Sequence, residues 1–157
     1  MTQNRIVHHR VTLGCRPAKA FRFFTRADLL ERWLTVKARV EPRLGGRYEL
    51  FWSPEHPELD STVGCRITAF VPNRLLAFEW KGPKQYRRFM NRADPLTQVT
   101  VAFFPCASGD QTEVQLVHTG WRDSRLWEEA RLWFDRSWGY ALKKALVRCT
   151  APKRRGP

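Results

Sequence analysis

The stretch DSRLWEEARLWFDRSWGYALKKALVRC, residues 123–149, decides how the rest of the chain must fold. Within it Trp127, Ala130, Phe134, Trp138, Ala141, Ala145 and Cys149 step by 3, 4, 4, 3, 4 and 4 residues. Steps of three and four keep side chains on one side of an α-helix, so the spacing predicts one long apolar stripe. Asp123 or Ser124 can cap the helix, Glu128 and Glu129 fall in its early turns, and Lys143, Lys144 and Arg148 sit near its end. Both charge biases complement the helix dipole. At 1.5 Å per residue such a helix is roughly 36 Å long, enough to cross a domain. Gly139 in its interior costs about 1 kcal/mol relative to alanine, and the sequence offers no reason for it.

A stripe of that length needs a surface to cover it, and the upstream chain supplies one. Residues 6–13 alternate, with Val7, His9, Val11 and Leu13 on the more apolar side. Pro17 can open a helix that continues through Ala18, Phe21 and Phe24, and Leu29, Leu30, Trp33 and Leu34 suit a second short one. Gly45-Gly46 marks a turn. Strands then follow closely: 47–52 with Tyr48, Leu50 and Trp52 on one side, 65–71, 75–80 with Leu76, Phe78 and Trp80, 97–103, and 112–118 with Val114, Leu116 and His118. Gaps this short favour antiparallel hairpins over β-α-β crossovers. The order is one strand, two short helices, about six strands and one long helix. It implies an α+β fold in which a curved antiparallel sheet wraps the C-terminal helix. A single domain over 1–150 and a basic, flexible tail over 151–157 are expected.

The bulk properties bound the function. At 157 residues, 43% hydrophobic and 13% aromatic, the chain has ample material for a core and is too apolar for disorder. Its formal charge of +13 attracts nucleic acid, anionic surfaces or acidic partners, and part of it lies in Lys153-Arg154-Arg155. Cys15, Cys65, Cys106 and Cys149 form no C-x-x-C pair. With no signal-peptide-like start and no apolar run near 18 residues, they read as reduced thiols of a cytoplasmic protein without a membrane span. No metalloprotease, nucleophile-elbow, phosphate-loop or dinucleotide motif occurs, so no cofactor and no metal are expected.

Several strings, in order, resemble the activator-of-heat-shock-ATPase homologue family within the START-like (SRPBCC) superfamily. They are AFRFFT at 20–25, Trp33-Leu34, VEPRLGGRY at 40–48, PNRLL at 72–76, Phe78-Glu79-Trp80, VTVAF at 99–103, Thr112-Glu113-Val114, His118-Thr119-Gly120-Trp121 and Trp138-Gly139. The resemblance spans about residues 5 to 148 and implies a helix-grip fold with a cavity between sheet and long helix. Functions in that superfamily range from lipid carriage to cyclisation to co-chaperone work, so fold does not fix function. Residues 83–94 look longer and more basic than the family pattern, and the further N-terminal domain of the usual co-chaperone layout is not expected.

The leading expectation is therefore a binding protein holding a small, largely apolar ligand. Tyr48, Trp80, Phe103, His118, Phe134, Trp138 and Ala141 would line the site, with large and small residues alternating along the helix to leave room. The stripe reads equally as plain core. His118 shares a strand face with Val114 and Leu116, and is either a directional ligand contact or a satisfied core histidine. A protein-interaction module acting on a chaperone in stress response is the second expectation. A cofactorless enzyme with His118 as general acid or base is the third. Glu79 falls out of phase with its neighbours and reads as solvated. His8 and His9 face opposite sides of one strand and share no metal easily. The basic segment with Lys81, Lys84, Arg87, Arg88 and Arg92 carries Tyr86, Phe89 and Met90, which reads as a short lid helix with its charges in water ahead of a nucleic-acid surface. Monomer and homodimer are both open.

Overall fold

The computed structural model describes residues 5–152; the rest of the predicted basic tail, 153–157, lies outside the described residues. Seven strands and the helices between them follow the order read from the sequence. Strand β1 (Val7–Leu13) leads to α1 (Pro17–Thr25) and α2 (Ala27–Trp33), then to β2 (Lys37–Val40) and β3 (Tyr48–Phe51). Next come β4 (Ile67–Val71), β5 (Leu75–Trp80), a one-turn helix α3 (Arg87–Met90), β6 (Thr97–Cys106) and β7 (Gln111–Thr119). The long helix α4 (Arg125–Tyr140) passes through a π-helical segment (Ala141–Leu146) into α5 (Val147–Thr150).

Five strands form one antiparallel sheet in the order β1-β7-β6-β5-β4, and β2 and β3 form a two-stranded ribbon. A single bridge, Arg47 to Arg66, joins the ribbon to the β4 edge. Strand β2 is the one strand that the sequence does not delimit, because only Ala38 of its four residues is buried. Register explains the core. Val7, His118, Val99, Phe78 and Ile67 lie in one row across five strands, and His9, Leu116, Val101, Leu76 and Phe70 lie in the next. All five residues of the first row are buried. Burying an apolar side chain of this size contributes about 1.5–3 kcal/mol, which fixes the register against a one-residue slip.

Two helical layers cover this face. Phe21 and Phe24 of α1 pack edge-on against Phe103 at 5.3 and 5.5 Å, so α1 closes one end of the sheet. The long helix covers the rest. Ser124 caps it by accepting a hydrogen bond from the Trp127 backbone N–H at 3.2 Å, and Glu128 of the first turn pairs with Arg131. Its buried line runs Ala130, Phe134, Trp138, Leu142, Leu146, Thr150, a constant step of four. That differs from the stripe expected past Trp138, where Ala141, Ala145 and Cys149 are only half-buried. In an α-helix each four-residue step overshoots one turn by about 40°. The wider π turn brings the line back onto the sheet, so Leu142 and Leu146 take the buried places.

Gly139 has a physical reason too. The His9 ring rests on the helix there, its Nε2 2.8 Å from the Asp135 carbonyl oxygen. A Cβ at Gly139 would sit 3.1 Å from His9 Cε1. The glycine lets β1 and α4 approach through that ring.

Candidate functional site

Past the end of β5 the chain stops following the sheet, and a pocket of about 380 Å³ opens between the β5 edge and α4. Its walls come from several places. Helix α4 and the π segment give Trp133, Phe134, Ser137, Trp138 and Ala141; β5 gives Trp80; and the loop after β5 gives Lys81, Gly82, Pro83 and Gln85. Trp52 just after β3, Leu34 just after α2, and Asp60 and Ser61 of the loop before β4 complete it. Trp133, Ser137 and Ala141 form a line at steps of four beside the buried one, which is why one helix supplies both core and pocket wall.

The aromatic wall is fixed by mutual packing. The Trp80 ring lies 5.1 Å from that of Trp138 and 5.9 Å from that of Trp52, centroid to centroid. Trp52 is pinned by its Nε1–H, which donates to the Leu34 carbonyl at 2.9 Å. Around the rim, Lys81 Nζ donates to the Val63 carbonyl at 2.6 Å, and an Asp60 carboxylate oxygen accepts from the Lys84 backbone N–H at 2.6 Å.

The basic segment forms the expected short helix. Tyr86 and Met90 are buried, and Tyr86 meets Trp133 while Phe89 meets Trp127. Lys84, Arg87, Arg88 and Arg92 point to water. The packed side of this helix reaches its seat because Gly82 leaves room: a Cβ there would come within 2.8 Å of Met90 Sδ. With Tyr86 and Met90 turned inward, the side chains that would stack on bases are largely spent on packing.

Of the residues picked out in the sequence, Trp80, Phe134, Trp138 and Ala141 line this pocket, and Tyr48, Phe103 and His118 do not. Tyr48 is stacked on Phe78 with centroids 3.9 Å apart and donates its hydroxyl hydrogen to the Phe24 carbonyl at 2.7 Å. Its burial holds the phenol well above its ordinary pKa. Phe103 is held under α1. His118 is fully buried and has both ring nitrogens occupied. Trp138 Nε1–H donates to its Nδ1 at 3.2 Å; an indole only donates, so the ring proton sits on Nε2 and goes to Thr97 Oγ1 at 3.0 Å. Burial lowers its pKa to about 3. A ring so engaged has no nitrogen left for acid–base work, and the general-acid or general-base role considered for it lapses. Glu79 is half-buried, not freely solvated, and its Oε1 accepts from the Arg66 backbone N–H at 2.9 Å. His8 and His9 do diverge, to Gln115 and Asp135.

Trp52, Trp133 and Leu34 also line the pocket. Trp133 lies off the expected stripe, and the sequence places Trp52 on a strand face and Leu34 in a short helix without marking either as a site residue. Among the described residues no group of three His, Cys, Asp or Glu could hold a metal ion, and no helix is long and apolar enough to cross a membrane.

A sheet closed by a long helix, with a pocket beside it, can be set against known proteins. The family model described as activator of Hsp90 ATPase homolog 1-like protein matches residues 15–150. The chain belongs to that family. Three solved structures share this fold over nearly their whole length. A protein from Mesorhizobium loti superposes with a TM-score of 0.70 at 20% identity, covering 92% of this chain and 96% of that one. An Hsp90 activator from Plasmodium falciparum gives 0.64 at 22% identity, over 94% and 99%. The Aha1 dimer from Colwellia psychrerythraea gives 0.62 at 15% identity, over 92% and 98%. At these identities the likeness concerns fold. None of the curated proteins compared matches the sequence significantly.

Proposed function

We propose that this activator-homologue domain binds a small, largely apolar molecule in the pocket between the β5 edge and α4. The observation that carries the reading is the wall itself: Trp52, Trp80, Trp133, Phe134 and Trp138 surround about 380 Å³. That volume falls within the roughly 300–1,000 Å³ of small-molecule sites, and aromatic walls with a few polar groups are their usual lining. Ala141 supports the reading by keeping the helix side of the pocket low. Native mass spectrometry of protein purified under gentle conditions tests it: a co-purified adduct of a few hundred daltons, lost on denaturation, is expected. No adduct, together with no retention of any member of an aromatic fragment set, contradicts it.

The family's description supports a second reading, a protein-interaction module that stimulates a chaperone ATPase. It predicts faster ATP turnover by an Hsp90-type chaperone when this protein is added. Unchanged turnover at saturating concentration removes it.

A further inference from the structure

The long helix buries one side and leaves three large apolar side chains in water, Leu126, Leu132 and Tyr140, with Leu126 58% and Tyr140 71% exposed. Leu126, Trp133 and Tyr140 follow one another at steps of seven, about two turns apart, so they share one flank of α4. Trp133 shows what that flank meets: it lines the pocket and lies 5.9 Å, ring to ring, from Tyr86 at the start of α3. Leu126 and Tyr140 therefore stand on either side of the place where α3 and the pocket reach the helix.

The charges on this side are just as uneven. Residues 84–94 expose Lys84, Arg87, Arg88 and Arg92, and residues 124–146 expose Arg125, Arg136, Lys143 and Lys144. The exposed acids of the same two segments are Asp94 and Glu129. Two further acids of the helix, Glu128 and Asp135, turn to its opposite flank, where Arg5 and Arg131 pair with the first and His9 with the second. Among the described residues none of these exposed cations forms an ion pair.

Cations alone attract any polyanion, so the side chains set between them decide which one fits. Bases need open rings to stack on, and here Tyr86 and Phe89 are spent on Trp133 and Trp127. Lys and Arg heads around protruding Leu and Tyr side chains match the headgroup layer of a bilayer, with phosphates outermost and acyl chains beneath. We infer that this face, α3 with the adjoining flank of α4, docks on an anionic lipid bilayer. The inference goes beyond the pocket reading and stands on different residues. The two fit together, because Trp133 belongs to both the docking flank and the pocket wall, which puts an apolar site beside an apolar reservoir.

Co-sedimentation of the full chain with vesicles of phosphatidylcholine alone, and of an equal mixture with phosphatidylglycerol, tests it. The protein should sediment with the anionic vesicles, stay in solution with the neutral ones, and bind less as salt rises. Arg87→Glu with Arg88→Glu should weaken binding by roughly tenfold or more. Arg22→Glu with Arg74→Glu, the same charge change at the end of the sheet that α1 closes, should weaken it far less. Leu126→Ser with Tyr140→Ser should lower the binding that survives in salt. All these side chains are exposed, so the variants should keep the fold. No sedimentation with anionic vesicles overturns the inference. So does an equal loss in the two charge variants, which would assign the attraction to the net charge of +13. Unchanged binding without Leu126 and Tyr140 overturns it as well. Tight binding of a single-stranded oligonucleotide or of polyglutamate, with no vesicle binding, gives the face to another partner and overturns it too. Each of these outcomes leaves the pocket reading standing, since that reading has its own test in the co-purified adduct.

Discussion

Trp138 donates its indole hydrogen to His118 Nδ1 across 3.2 Å, and the same Trp138 forms part of the pocket wall. The histidine that the sequence offers as a site residue thus acts one layer back, holding a wall residue in place. It does so only when neutral, because a protonated Nδ1 cannot accept.

That gives a pH prediction. The folded-state pKa of His118 is lowered to about 3, below the value near 6.5 of an unfolded chain. Its contribution to stability is complete above about pH 6.5 and is lost as pH falls toward 3, because the unfolded chain takes up the proton first. His118→Gln should be less stable than wild type at pH 7 by about 1–3 kcal/mol, the cost of disturbing a buried hydrogen-bond pair. Urea denaturation at pH 7 and pH 4.5 should show that gap narrowing at the lower pH. A gap that stays constant would show that the ring does not titrate in this way.

Gly139→Ala should destabilise the protein, although glycine to alanine in a helix ordinarily stabilises by about 1 kcal/mol. The new Cβ would press on His9 Cε1, and that ring is held by its contacts to the Asp135 carbonyl and carboxylate at 2.8 and 3.0 Å. In a His9→Ala background the same change should become stabilising. Melting temperatures of the four proteins of this cycle check it, and a change of equal sign in both backgrounds would contradict the contact.

Thiol chemistry should divide the cysteines into two pairs. Cys15 and Cys65 are buried, and burial pushes the Cys65 thiol up to about 12. Cys106 and Cys149 are half-exposed. Ellman's reagent should modify two thiols of the native protein readily and the other two only after denaturation, with Cys106→Ser and Cys149→Ser each removing one fast equivalent. Four equally fast thiols would mean that the sheet opens around β1 and β4 far more readily than this packing allows.

The fold was legible because two periodicities dominate. Alternation in β1, β5, β6 and β7 and the steps of three and four around Trp127 to Trp138 are written in bulky residues. Past Trp138 the sequence carries two apolar lines, Ala141–Ala145–Cys149 and Leu142–Leu146–Thr150, in which only Thr150 breaks the second. Spacing cannot choose between them when a π turn resets the phase, since that turn is a response to packing.

The site was only half legible for a related reason. Strand phase identifies Tyr48, Phe103 and His118 as inward-facing, and they are. Inward, though, means under α1 for Phe103, against Phe78 for Tyr48 and behind Trp138 for His118. Distinguishing core from pocket needs to know which helix lies over each end of the sheet.

Ala141→Phe should separate pocket from fold. The residue lies in the pocket wall and is half-buried, so a larger side chain there enters the open volume without displacing core. The melting temperature should stay within a few degrees of wild type, in contrast to overpacking of a closed core, which costs about 1–3 kcal/mol. A fluorescence titration of wild type and this variant with the naphthalene probe 6-propionyl-2-(dimethylamino)naphthalene tests the pocket most directly. A saturable, blue-shifted emission at one probe per chain in wild type, abolished in Ala141→Phe, is the predicted result; no saturable signal, or the same signal from both proteins, would contradict the assignment of a ligand to this pocket.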